Sequence, residues 1–209
     1  MTTALKKVDD KCWDDLHQYY VSTAKFKEAE VLLIGGDHIA LLSQSRFYHE
    51  HLAPLHCFCF GSMGDTIANL LWRVEDGEID NYTPKAVVVS IGQSDTDLSV
   101  DEMITGLSNL KNAIRQRQPN AKVFFLQLLP SGRAPNNRWE FVSTVNASME
   151  AGLGKDAKVI EIDLEAIENQ GAISAPYMFD FFHLSQEGYD VIFVPVLAAI
   201  QDVLCINGN

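Results

Sequence analysis

Short apolar runs punctuate the chain at positions 31–34, 55–60, 86–91 and 123–129, each entered from polar or turn residues and left near glycine, proline or an acidic residue. A fifth run, 158–162, alternates more. Runs this short and rich in Val, Ile and Phe suit strands of a parallel sheet buried on both faces. Between them, positions 65–74, 100–118, 138–151 and 185–204 carry apolar residues at helical spacing, and several of these stretches start at an Asp, Ser or Asn that can cap a helix. The first 28 residues, including Cys12-Trp13 and Phe26, read as an amphipathic helix packed on the edge of the sheet.

Strand and helix alternate throughout, which predicts a three-layer α/β fold: a doubly wound parallel sheet with right-handed crossovers and flavodoxin-like strand order. No repeat, low-complexity tract or long linker divides the chain, so residues 1–209 are expected to form one domain. Ligands of such sheets bind beyond the carboxyl ends of the strands, where the winding reverses between the first and third. The segments at those ends are Gly35-Gly36-Asp37-His38, Gly61-Ser62-Met63-Gly64-Asp65 and Gly92-Gln93-Ser94-Asp95.

Composition narrows the partners. A net charge of -12 disfavours nucleic acid and anionic membrane surfaces, and no run approaches the length of a membrane-spanning helix. Cys12, Cys57, Cys59 and Cys205 follow neither disulfide-like nor zinc-like spacing, and the N-terminus has no signal-peptide pattern, so a reduced, cytoplasmic protein is expected. Cys57 and Cys59 share one face of a predicted strand and read as small core hydrophobes. His49 and His51 flank Glu50 near Arg46 in what reads as a solvated loop; Trp72 and Trp139 read as core or interface residues. The acceptor-like sequences at Asn81 and Asn146 are assigned no function.

The most informative constellation is Asp180-Phe181-Phe182-His183, an acid three residues ahead of a histidine. A carboxylate on one ring nitrogen fixes the tautomer and leaves the other nitrogen as a general base. The competing reading is structural, a capping Asp beside a packed His. The wider chain favours chemistry: Val31-Leu32-Leu33-Ile34-Gly35-Gly36-Asp37, Phe60 to Thr66, Val87 to Gly92, Arg117 to Pro130 and Met178 to Leu184 follow the ordered blocks of the SGNH/GDSL hydrolases. With Pro54-Leu55-His56 and Asp76-Gly77-Glu78, these blocks most resemble the catalytic subunits of platelet-activating-factor acetylhydrolase Ib.

The resemblance implies a Ser/Asp/His triad and an oxyanion hole made by a nucleophile-loop amide, a glycine and an asparagine. Asp180 and His183 match its acid and base, and Gly64 its oxyanion glycine. The nucleophilic serine is replaced. Without a gap its position is Asp37; with Gly36 as an insertion it is His38. The asparagine becomes Ser94. Loss of one oxyanion donor alone costs on the order of 100- to 1000-fold in rate, so the chain reads as a catalytically inactive homologue. The resemblance implies a homodimer that binds the WD40-repeat lissencephaly protein, a dynein regulator; the alternative is a weak or altered acetyl esterase. No cofactor or metal is expected, although Asp37, Asp180 and His183 together match a two-carboxylate, one-histidine ligand set. If Asp37 fills the serine's place, His183 sits between two carboxylates and is expected to be imidazolium near neutral pH.

Overall fold

A computed structural model describes residues 7–23 and 28–205. The sheet has five parallel strands, β1 (Val31–Gly35), β2 (Cys57–Gly61), β3 (Ala86–Ser90), β4 (Lys122–Leu126) and β5 (Lys158–Ile160), in the order β2-β1-β3-β4-β5. This is the flavodoxin-like order the alternation predicts. Strand residues alternate between two cores. Leu32, Ile34, Val87 and Val89 face one layer, and Val31, Leu33, Ala86 and Val88 face the other. The first layer is made by α3 (Ile67–Glu75), α4 (Val100–Arg117) and α5 (Asn137–Leu153), and the second by α2 (Asp37–Leu42), α6 (Gln186–Ile192) and α7 (Val194–Leu204).

Helix α1 (Lys11–Thr23) starts only at Lys11, residues 7–10 before it being non-helical, and Phe26, with residues 1–6, lies outside the described residues. It packs at the sheet edge as expected: Tyr20 stacks on Phe60 of β2 at 4.5 Å and donates its hydroxyl to the Gly61 carbonyl at 2.9 Å. Trp72 closes the other side, 5.3 Å from Trp13 and 5.2 Å from His17.

Several boundaries move for local reasons. Strand β2 starts at Cys57, not at Leu55, because Ala53–Leu55 forms a 3-10 turn and His56 takes a left-handed φ of 54°. Strand β4 stops at Leu126, since the Leu128 amide is captured by Asn146 Oδ1 at 2.8 Å, and β5 stops at Ile160. Asp65 stays outside α3, whose cap is Thr66 in a reciprocal capping box with Asn69. The stretch 185–204 is two helices broken at Phe193, because Pro195 has no amide to continue the ladder of the preceding turn. A short hairpin, β6 (Glu168–Asn169) with β7 (Ala172–Ile173), and a π-helical turn over Tyr48–Leu52 have no counterpart in the apolar pattern.

Cys57 and Cys59 lie on the α6/α7 face of the sheet, and burial pushes the Cys57 thiol up to about 12. Arg46, His49, Glu50 and His51 are exposed, with Arg46 paired to Asp190 and His49 against the half-buried Tyr48, whereas Phe47 between them is buried in the second core and lies against His51. Trp139 packs at the edge of the second core and donates Nε1–H to the Ser131 and Gly132 carbonyls. No helix among the described residues is long and apolar enough to cross a membrane.

Candidate functional site

The winding reverses between β1 and β3, and the three segments predicted there converge with the loop before α6. Gly35 ends β1 because nothing larger fits: a Cβ there would lie 2.0 Å from the Ser90 carbonyl oxygen. Gly36 donates its amide to that same oxygen at 3.1 Å, and the chain turns directly into α2 with Asp37 as its first residue. A carboxylate is favoured there by the unsatisfied amides of the helix start.

Asp37 is buried and fully engaged. Its Oδ1 accepts the Gly64 amide at 3.1 Å and lies 3.3 Å from His183 Nε2; its Oδ2 accepts the Ser94 hydroxyl at 3.1 Å. On the far side of the ring, His183 Nδ1 meets Asp180 Oδ2 at 2.6 Å. Asp180 Oδ1 accepts the Phe182 and His183 amides at 3.0 and 2.7 Å, a turn that forces Phe181 into a left-handed φ of 60°. The Asp180–His183 contact is present at the spacing noted in the sequence, and the turn explains why three residues is the workable separation.

The two registers for the altered serine place quite different side chains. Asp37 faces Gly64, Ser94 and His183, whereas His38 is buried beside Phe182, with Nε2 3.0 Å from the Phe182 carbonyl. Since a carbonyl only accepts, Nε2 carries the hydrogen, and Nδ1 is a buried acceptor without a partner. Burial lowers the His38 pKa, in keeping with a neutral ring.

Burial also pulls on His183, but hydrogen bonds and charge from Asp180 and Asp37 outweigh it, so its pKa is raised. Asp180 moves the other way: burial opposes its charge, yet bonds from the His183 and Phe182 amides and the imidazole hold its pKa below the ordinary carboxylate range. The three-residue metal reading is contradicted by this geometry. The two carboxylates occupy opposite nitrogens of one imidazole, so the three side chains have no shared point at which a cation could meet them. No metal-ligand cluster occurs among the described residues.

Sequence reasoning missed the residues beneath the loops. Arg73, fully buried on α3, donates Nε–H to Asp65 Oδ2 at 2.8 Å and Nη2–H to the Gly35 carbonyl at 2.9 Å. Its Nη1 pairs with Glu78 and reaches the Phe60 carbonyl at 3.3 Å. The network extends to α1, where Trp13 Nε1–H donates to Asp65 at 2.7 Å and His17 Nδ1 meets Glu78 at 2.9 Å. Arg138 does similar work after β3, donating to the Gly92, Gln93 and Asp95 carbonyls at 2.9, 3.0 and 2.9 Å. The available signal for Arg73 was a lone cation in the apolar sequence Leu70-Leu71-Trp72-Arg73-Val74.

Comparison with known proteins gives a consistent picture. Residues 42–191 match the GDSL-like lipase/acylhydrolase family. The matched span holds Gly64, Ser94, Asp180 and His183 and begins after Asp37. The chain is 36% identical to the human platelet-activating factor acetylhydrolase IB subunit alpha2 over 198 residues, which is 94% of this chain and 86% of that protein. It is 34% identical to the Pongo abelii alpha1 subunit, with 93% and 84% covered. Among solved structures it resembles a GDSL-like lipase from Bacteroides thetaiotaomicron, with TM-score 0.74, 18% identity, and 89% and 97% of the two chains covered. It also resembles a psychrotrophic esterase from Pseudoalteromonas, with TM-score 0.64, 17% identity, and 84% and 99% covered. These two likenesses speak to the fold.

Proposed function

Since this chain belongs to the GDSL-like lipase/acylhydrolase family, we propose that it is a member without acetylhydrolase activity that acts in the cytoplasm as a dimeric binding partner of the WD40-repeat lissencephaly protein. The observation that carries the loss of activity is the Asp37 carboxylate, held by Gly64, Ser94 and His183 where the family's serine hydroxyl is expected. In this reading Asp180 and His183 are the retained acid and base, and Gly64 and Ser94 are what remains of the oxyanion hole. A carboxylate attacking an acetyl carbon forms a mixed anhydride, which returns to reactants more readily than it advances. With imidazolium already paired to two carboxylates, no base is left to activate a hydroxyl.

Support for the partner reading is of a different kind. The similar proteins are named as subunits, and the shared sequence extends over scaffold as well as site. The described surface also leaves Tyr19, Met63, Phe179 and Val194 exposed.

The test has two arms. Purified chain should fail to release acetate from platelet-activating factor and should resist fluorophosphonate labelling, while pulling down the WD40 protein and sizing as a dimer by light scattering. Fluorophosphonate labelling that disappears in His183→Ala would restore the esterase reading, and failure to capture the WD40 protein would remove the partner reading.

A further inference from the structure

Loss of acyl transfer leaves a site that still has a nucleophile, a protonated imidazole and oxyanion donors. We propose that this site opens small apolar epoxides, with the Asp37 carboxylate as nucleophile and its own alkyl ester as the intermediate. The Gly64 amide and the Ser94 hydroxyl contact the two oxygens of Asp37 itself, at 3.1 Å each. A hole aimed at the protein's own carboxyl group suits a reaction in which that carboxyl passes through a tetrahedral intermediate. Attack on an acyl carbon gains little from it, because the anhydride formed returns to reactants more readily than it advances. Attack on a strained saturated carbon can use it, because the product is an ordinary ester of Asp37.

The steps balance with water alone. Asp37 Oδ2, bonded only to the Ser94 hydroxyl, attacks an oxirane carbon; the ring C–O bond breaks and its electron pair goes to oxygen, which takes the Nε2 proton of His183. His183 is now neutral and still oriented by Asp180 at Nδ1. It accepts a proton from water as hydroxide adds to Asp37 Cγ, and the charge developing on Oδ1 meets the Gly64 amide. Collapse breaks the bond between Cγ and the alkoxide oxygen, the alkoxide takes the proton of the newly formed carboxyl, and a diol leaves. Asp37 ends as carboxylate carrying an oxygen from water, and His183 ends as imidazolium.

The surroundings fit an uncharged, apolar substrate. Phe179 is 60% exposed and stacks on His183 at 5.8 Å, Phe182 stands edge-on to the same ring at 4.7 Å, and Met63, 51% exposed, precedes Gly64. A net negative site also repels anionic electrophiles.

The experiment uses the full chain with propylene oxide and styrene oxide, and its outcome is independent of the acetate and WD40 assays. Wild type should form the diol from at least one of them. In a single turnover in heavy-oxygen water, the label should enter the Asp37 carboxylate and not the diol. His183→Gln, which loses both the acid of the ring opening and the base of the hydrolysis, should form diol at least about 100-fold more slowly, and Asp37→Asn should give neither adduct nor diol. The proposal is overturned if neither epoxide yields diol or adduct with wild type, if the first-turnover diol itself carries the label, or if Asp37→Asn, verified as folded by its thermal melt, retains turnover. The isotope experiment needs wild type only, so a misfolded variant cannot shield the idea.

Discussion

Replacing Arg73 with methionine removes the single cation that two buried carboxylates share. Asp65 and Glu78 have side chains only 1% and 0% exposed, and the Gly35 and Phe60 carbonyls lose the same donor group. Breaking a buried pair by deleting one partner costs roughly 3–5 kcal/mol, chiefly because the stranded charge stays in a poor solvent. His17 still holds Glu78 and Trp13 still holds Asp65, which places the expected loss within that range and not above it. For a chain of this size each kcal/mol moves the melting temperature by about 2–4 °C, so Arg73→Met should melt about 6–20 °C lower. Urea unfolding followed by circular dichroism at pH 7 measures the loss directly. The triple variant Arg73→Met, Asp65→Asn, Glu78→Gln should recover a substantial part, because it neutralises the stranded groups. A loss under about 1 kcal/mol for Arg73→Met, or no recovery in the triple variant, refutes the reasoning.

Other expectations follow from the same geometry. By NMR titration His183 should be protonated at pH 7, and Asp37→Asn should lower its pKa. Because the folded pKa of His183 lies above the unfolded value of about 6.5, its contribution to stability is complete below that pH and is lost as pH rises through the folded value; the urea midpoint of wild type should therefore fall more steeply above pH 6.5 than that of His183→Gln. Asp37→Ser combined with Ser94→Asn should restore measurable acetate release, whereas continued silence would show that the pocket walls have changed as well. Gly35→Ala should lose about 3 kcal/mol or fail to fold, since its Cβ meets backbone and not a yielding side chain. Ser99→Ala should cost about 1 kcal/mol in urea titrations by removing the capping box of α4.

The strands and their order were legible because buried parallel strands leave uninterrupted apolar runs, as in Val31-Leu32-Leu33-Ile34 and Val87-Val88-Val89. Asp180 and His183 were legible because their contact is local. What escaped was set by contacts between distant positions. Asn146, 18 residues beyond the Leu128 amide it captures, decides where β4 ends. The choice between Asp37 and His38 depends on which of two adjacent side chains the α2 start points toward Gly64 and which it turns under Phe182. The Arg73 network joins residues 13, 17, 35, 60, 65 and 78, and no window of sequence contains it.

One guanidinium beneath the loops fastens the carboxyl ends of two neighbouring strands, at Gly35 and Phe60, without touching Asp37, Ser94 or His183 through any of its hydrogen bonds. Foundation and chemistry are thereby kept in separate hands. Exchanges at positions 37 and 94 therefore alter what the crevice can do while leaving untouched every hydrogen bond of the guanidinium that holds its platform.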